Sequence, residues 1–464
     1  MSTSGKISLI VTSEDQAAEL FIINSNLERV ARGIGTVSTQ QPAGVYKIKV
    51  RVGQVAHEEL VALEKASVEK HIAQLDIPSA APLMATGQSH EYHQDAVRKH
   101  SVKPWVKAGT GASIFVFARD WNPQGKRPRP GHHPAEGLTL QRINGKMAID
   151  VQRKSRQDLT RDPWAACNVE VSPGPYLLAV RTATGEVFQM SLFAFPSWRV
   201  QVFLLQRDNE GSVRGRRPDL ASASILMTQS PQFSFQQEDD RLSELARSAL
   251  VDCRQVLNDQ LKQSLLYKKF VNPMLGSIGG HLILRSPQPD MDTLKVVVRN
   301  LRAIMGRGMT HPDVEALALA SGLAPQGDFS IPPMLRTSWD IVLKHSSVDS
   351  RLIPSDSLAA RIATRVTNQQ PWLIWAEPST SEGWMDRLLP DFEEYLLERE
   401  RKDLDASGRD KTSTPDAQRL AEALALPRAT IDHLLASVRA RSAPVPMAPT
   451  WKKLGGVKKS AKRP

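Results

Sequence analysis

Along residues 6–66 apolar and polar positions alternate with a period of two, and turn residues cut the alternation into short runs. The runs predict strands at 6–12, 18–24, 37–41, 46–52 and 56–63. In "YKIKVRV" (46–52), Tyr46, Ile48, Val50 and Val52 share one face and Lys47, Lys49 and Arg51 the other, so one side is core and the other is wet. From about 109 to 207 the rhythm returns. "SIFVFAR" (113–119) is apolar on both faces, as a strand covered on both sides is. Asn144-Gly145 between two alternating runs predicts a hairpin, and "CNVEV", "PYLLAVR", "EVFQMSLFAF" and "WRVQVFLLQ" continue the series. Residues 73–105 lose periodicity and read as a linker, while 121–137, with four prolines, reads as an insertion at a sheet edge.

Near position 235 the period changes to 3.6. Asp239 or Asp240 caps a predicted helix over 241–270, ended by Asn272-Pro273. Further helices are expected after Asp290 or Asp292 with Gly306 as stop, after Thr310 and Pro312 with Gly322 as stop, and over 332–346 and 357–368. "PWLIW" (371–375) reads as an apolar plug across them. The resulting fold class is multidomain β plus α: two small antiparallel β-sandwiches followed by α-helical domains. The boundaries are a β-sandwich at 1–70, a linker at 71–108, and a second sandwich at 109–210 with an inserted loop at 121–137. A helical bundle at 236–325, a helical domain at 330–404, a helical hairpin at 412–441 and a disordered basic tail at 442–464 complete the chain.

One phrase occurs twice. "QPAGVYKIKV" (41–50) and "SPGPYLLAVR" (172–181) each set Pro, Gly and Tyr before an alternating strand, with the glycine shifted by one in the second. The first stands within "AELFIINSNLERVARGIGTVSTQQPAGVYKIKV". That stretch resembles the small sandwich named after its PEGA motif and, more loosely, carboxypeptidase-regulatory domains, with Pro42, Gly44 and Tyr46 in the places of a Pro-x-Gly-x-Tyr turn. The resemblance implies an Ig-like accessory or adhesive module without catalytic activity. Either the two phrases are the same strand of two related sandwiches, or Pro-Gly-Tyr turns recur by chance.

The segment 414–441, "TPDAQRLAEALALPRATIDHLLASVRAR", reads helix, turn at Leu426-Pro427, helix. Its Leu426, Pro427, Thr430, Leu434 and Leu435 resemble the helix-turn-helix of winged-helix repressors of the isocitrate-lyase regulator type. Asp432 and His433 stand where that family carries residues that approach phosphates and bases, and the proline-rich "SAPVPMAPTWKK" leaves no wing. A helical hairpin that docks a partner is the favoured expectation.

Net charge is +11, but Lys452, Lys453, Lys458, Lys459, Lys462 and Arg463 in the last fourteen residues account for six of those charges. The body is therefore mildly basic, and nucleic acid enters only through phosphate contacts of that tail. No apolar run is long enough to span a membrane and the first residues lack a secretory signal, so a soluble cytoplasmic protein is expected. Cys167 and Cys253 cannot build a disulfide framework or a four-thiolate site. Nucleophile-elbow, P-loop and dinucleotide-binding motifs are absent from the sequence, and "HEYH" (90–93) spaces its imidazoles at i and i+3 rather than i and i+4. His90, His93, His100, His132 and His133 fall in two irregular segments without a carboxylate pattern beside them, so no metal or other cofactor is expected.

These readings favour a non-catalytic scaffold or adaptor for protein partners. Proteins that join such sandwiches to helical modules often work in bacterial regulatory or defence assemblies beside a protease-like effector, and the expected partners include one. Trp339, Trp372, Trp375 and Trp384 form the candidate partner-binding cluster, with core filling as the favoured alternative. A DNA-binding regulator using 414–441 and the tail is the second expectation. A hydrolase joining a histidine with a cysteine or carboxylate is the third.

Overall fold

The computed structural model describes residues 6–87, 91–104, 111–120, 132–160, 162–207, 217–258, 261–263, 272–306, 308–378, 383–406 and 416–442. The candidate lysines and arginine of the tail, and most of 121–137, lie outside the described residues.

The first unit holds β1 (Ile7–Ser13), β2 (Glu19–Ile23), β3 (Arg29–Ile34), β4 (Thr36–Gln41), β5 (Gly44–Val52), β6 (Val55–Leu63) and β7 (Val68–Ile72). They form one sheet in the order β6-β5-β2-β3-β4-β1-β7. β3 and β4 share a single residue pair, Ile34 opposite Thr36, across Gly35 at φ +69°. There a Cβ would lie 3.0 Å from the Gln16 carbonyl oxygen, so the corner takes glycine. Leu9, Val11 and Val37 join Leu20, Ile22, Ile48 and Val50 in one core.

The second unit begins with β8 (Ala112–Asp120), β9 (Leu138–Arg142), β10 (Met147–Asp150) and the short α2 (Val151–Lys154), after α1 (Glu91–His100) has passed over it. β11 (Arg156–Asp158), β12 (Trp164–Val171), β13 (Gly174–Arg181), β14 (Val187–Ala194), β15 (Arg199–Arg207) and β16 (Arg217–Thr228) follow. Two five-stranded sheets result, β11-β12-β8-β15-β16 and β10-β9-β13-β14-β17, the last strand being Trp375–Ala376 from far downstream.

Both units use one pairing plan. β1 pairs β4 antiparallel and β7 parallel; β8 pairs β12 antiparallel and β15 parallel. β2 lies between β3 and β5, and β9 between β10 and β13. β5 turns back into β6 as β13 does into β14. The expected antiparallel pairing holds in the sheet β10-β9-β13-β14-β17 and is corrected to mixed pairing in the other two sheets. A strand that follows the last hairpin crosses to the other layer and lies parallel to the first, a non-local pairing that alternation does not encode.

The repeated phrase performs one job twice. Tyr46 Oη donates to the Pro42 carbonyl at 3.0 Å, and Tyr176 Oη donates to the Ser172 carbonyl at 2.9 Å, each four residues back. Counted from the tyrosine the glycines coincide: Gly44 and Gly174 both precede it by two and have φ of +159° and +140°. The shift noted in the sequence belongs to the proline. Each ring is buried at the start of a strand, and its hydroxyl ties down the chain that enters that strand.

Parts of 77–87 and 91–97, placed within the linker at 71–108, are packed instead. Ala80, Ala81, Leu83, Ala96 and Val97 cover Phe115 and Phe117 on the outer face of β8, whose Ile114 and Val116 face the inner core. Ala80, Ala81 and Leu83 lie in irregular backbone and Ala96 and Val97 on the short helix α1, whose other side chains are mostly polar, so the cover shows no apolar periodicity.

The helices are α3 (Glu238–Val251), α4 (Pro273–Leu284), α5 (Met291–Met305), α6 (Pro312–Ala320), α7 (Arg336–Ser346), α8 (Leu358–Ile362), α9 (Trp384–Ala406), α10 (Ala417–Leu424) and α11 (Arg428–Ser442). The helix expected over 241–270 ends at Val251, and Cys253 takes φ +52° just beyond it. The helices at 236–325 do not have a core of their own: Leu242, Leu245, Met274, Ile278, Leu294 and Leu317 belong to the cluster that fills both β units.

Arg241 in α3 fastens the helices to the first unit. Its Nε and one Nη donate to Asp15 at 2.8 and 3.0 Å, and the remaining N–H groups reach the carbonyls of Leu75, Met84 and Ala85 at 2.8–3.0 Å. Both side chains are buried. Replacing Arg241 by Met leaves the Asp15 carboxylate buried and unpaired, and is expected to cost about 3–5 kcal/mol in urea unfolding. Tyr46→Phe and Tyr176→Phe are each expected to cost about 0.5–1.5 kcal/mol, alike at both sites, in the same measurement.

Candidate functional site

"PWLIW" is an extended segment between two cores. Alternation sends Trp372 and Ile374 into the large core and Leu373 and Trp375 into a second one built with Trp339, Val342, Ile353 and Ile362. Trp372 Nε1 donates to the Ala223 carbonyl of β16 at 2.8 Å, and Trp375 Nε1 donates to Gln189 Oε1 of β14 at 3.0 Å. Ala376 stands opposite Phe188, Trp375 opposite Gln189, and Glu377 N–H donates to the Val187 carbonyl at 2.8 Å. The segment thus adds a strand to the open edge of β14.

Trp339, Trp372 and Trp375 are at most 1% exposed, and Trp384 is half-buried against the same cluster. The cluster proposed as a docking surface is corrected to core. Its tryptophans are close in sequence because they seal one seam between helices and sheet, and only Trp384 keeps access to solvent.

The edge corresponding to β14 in the first unit is β6, and among the described residues β6 has no neighbour beyond β5 in the sheet. With Tyr46 opposite Val61 and Tyr176 opposite Leu192, Glu58 of β6 takes the place that Gln189 takes in β14. Its oxygens accept from Lys47 and Lys49 at 2.9 and 3.1 Å, and these bonds hold its pKa below the usual carboxylate value. Leu60 beside it is 70% exposed and Val45 on β5 is 53% exposed. Backbone groups and an apolar strip on this edge stand ready for another strand.

The cysteines lie apart. Cys167 is buried in β12, and desolvation pushes its thiol up to about 11. Cys253 is exposed at an open cavity of about 550 Å³ where Arg32, Arg51 and Arg254 gather on Glu19. No hydrogen bond joins either cysteine to a histidine among the described residues.

Of the histidines, His90 lies outside the described residues, and the others face different partners. His93 packs on Phe117 and His100 on Trp164, His132 Nε2 lies 2.7 Å from Gln206 Oε1, and His133 Nδ1 accepts from the Ala135 N–H. Among the described residues no three His, Cys, Asp or Glu side chains are placed to hold a metal ion.

The structure adds a pair that sequence reasoning missed: His281 Nε2 and Ser338 Oγ, 2.7 Å apart and buried between α4 and α7. Desolvation pulls the His281 pKa down to about 4, so the ring is neutral at pH 7. A neutral imidazole can accept the hydroxyl proton, but Ser338 has no exposed surface, and the pair serves as a polar cross-link between the helices. The sequence signal for it is a lone His on the apolar helix "MLGSIGGHLIL".

Leu426, Thr430, Leu434 and Leu435, which carry the helix-turn-helix resemblance, are buried where α10 and α11 pack on α9. The first turn of α11 faces α7. Arg428 donates to the Ser347 carbonyl at 3.2 Å and to Asp432 at 2.8 Å, and Ser347 Oγ donates to Glu422 at 3.2 Å. The end of the helix that would enter a DNA groove is thus turned toward protein.

No protein-family model matches the chain, and no curated protein matches it. Among solved structures it is similar to the Bacillus anthracis TIE protein, at 16% identity over 41% of this chain with a TM-score of 0.17; it spans 32% of that chain's length. A proposed cell adhesion protein of Bacteroides eggerthii is similar at 9% identity, covering 49% of this chain and 96% of the other, with a TM-score of 0.14. The N-terminal eight Ig domains of the Down syndrome cell adhesion molecule are similar at 13% identity over 44% of this chain and 28% of the other, with a TM-score of 0.11. Likeness at these scores says nothing of function. No helix among the described residues is long and apolar enough to cross a membrane.

Asp240 in the first turn of α3 is buried, and desolvation, with Asp239 and Glu244 nearby, raises its pKa to about 7 against a hydrogen bond from Asn272. An unfolded carboxylate titrates near ~4, so the folded protein keeps a proton that the unfolded chain has lost, and stability falls as pH rises from there toward 7. Asp240→Asn is expected to lose less stability than wild type between pH 5 and pH 8, measured by urea unfolding at each pH.

Proposed function

We propose that the chain is a non-catalytic cytoplasmic scaffold or adaptor, built from two Ig-like, PEGA-like sandwiches of common origin and a helical part, and that it holds a protein partner along β6. What supports the reading is a contrast between equivalent edges. β14 is covered by the chain's own Trp375–Ala376 strand, whereas β6, of the same pairing plan, ends its sheet with Leu60 exposed. Strand addition takes its affinity from main-chain hydrogen bonds and its selectivity from side chains on alternate positions. The occupant is an extended segment of the partner, with an apolar side chain beside Leu60 and a donor beside Glu58, as Trp375 is a donor beside Gln189. A protease-like effector is the expected kind of partner.

Partner capture on immobilised full-length protein, read by mass spectrometry, is expected to recover a protein that Leu60→Asp does not retain. Adding that protein is expected to slow amide hydrogen exchange in β6 and leave β14 unchanged. A partner that binds without protecting β6, or binds Leu60→Asp equally well, would refute the reading.

A further inference from the structure

Where the ends of β15 and β16 meet the first turn of α3 lies a cavity of about 200 Å³. Gln201, Phe233 and Asp240 line it from the body of the protein, and neutral hydroxyl and amide side chains of the 228–237 segment form the rest of its wall. Among the described residues no lysine or arginine contributes to the lining. The wall is held in place from behind. Arg199 donates to the Pro231 carbonyl at 2.9 Å, Phe233 N–H donates to Ser101 Oγ at 3.1 Å, and the Phe233 ring packs 5.2 Å from Phe203.

Two groups here are incompletely answered by the protein. Gln201 is 1% exposed, and its Nε2 has no hydrogen-bond partner among the described residues. An amide donor left so costs about 1–3 kcal/mol, which a native fold seldom carries without a reason. Asp240 is 7% exposed and takes a bond from Asn272 Nδ2 at 3.1 Å on Oδ1. The cavity is therefore lined by a residue whose amide donor is unanswered and by a carboxyl that can take a donor, within a wall of neutral polar groups.

We propose that this cavity binds a small uncharged polyhydroxyl compound of monosaccharide size or less. A hydroxyl both donates and accepts, so a polyol answers Gln201 and Asp240 together and meets the hydroxyls and amides of the wall with its other groups. A phosphate or carboxylate would enter beside Asp240 without a cation to hold it. A protonated amine would pair with Asp240 but leave the Gln201 donor unanswered. The volume lies below the ~300–1,000 Å³ of clefts that take drug-sized ligands, which sets the size class. The site is independent of the β6 edge. It lies between the second unit and α3, so its occupant would bind folded protein alone and stabilise that junction.

The test uses the full chain and saturation-transfer NMR with glycerol, myo-inositol and D-glucose as probes, and ethylamine and inorganic phosphate as contrasts. At least one polyol is expected to receive saturation and to raise the thermal midpoint. Gln201→Leu is expected to weaken it at least tenfold, as is Ser230→Ala at an exposed position of the wall, with the unliganded midpoint of each variant read alongside. Three results would overturn the proposal: no transfer to any polyol, as from a cavity that holds only water; transfer to ethylamine or phosphate alone; or polyol binding undiminished in both variants.

Discussion

A buried guanidinium must find acceptors for five N–H groups, and Arg241 finds them on three separate stretches of chain. Asp15 follows β1, Leu75 follows β7, and Met84 and Ala85 belong to the crossing between the two β units. No one of these stretches alone can satisfy the side chain, so the first unit, the crossing and α3 take up their positions together. A second tie runs close by, where Arg254 beyond α3 reaches the Gly53 carbonyl and Asn258 Nδ2 reaches the Ile34 carbonyl at 2.8 Å. The two β units and the helices α3 to α6 consequently share one core over the described residues rather than standing as beads on linkers.

Within that body the two β units show what becomes of one plan in two settings. In the first, the outer faces stay wet, as Lys47, Lys49 and Glu58 indicate, and a single corner at Gly35 joins both layers into one sheet. In the second, α1 and the 77–86 segment cover one outer face and the Trp-bearing segment with its helices covers the other. Leu177 then stands in the place of Lys47, Phe115 and Phe117 fill the outer face of β8, and the strands read as unbroken apolar runs. The same tyrosine hook starts the same strand in both.

How much of the fold is legible in the amino-acid sequence depends on contrast between neighbouring residues. β1, β2, β4, β5 and β6 are legible because apolar and polar residues alternate between turn residues, most sharply in β1 and β5. β3, "RVARGI", and β7, "VEKHI", are not, since their side chains are mostly half-exposed and edge or corner strands carry charge. "ASASILMT" in β16 hides behind small residues, although Ala223 and Ser224 are fully buried. The break after Val251 is invisible for the opposite reason: Val256, Leu257 and Leu261 prolong the helical rhythm through residues that reach the same core by another path. The site is harder still. Nothing near Gln201, Asp240, His281 or Ser338 tells which distant side chain will stand beside each one, and the tryptophans looked like an interface because a seam and a docking surface use the same residue type.

The strand that closes the edge of β14 comes late: Trp375 and Gln189, which it joins, are 186 positions apart. During synthesis the second unit emerges from the ribosome long before its cover, and the bare edge must wait while the whole helical part up to α8 is translated. A nascent chain of this protein therefore carries the β14 border bare beside that of β6, and of these two, among the described residues, its C-terminal half silences β14 alone.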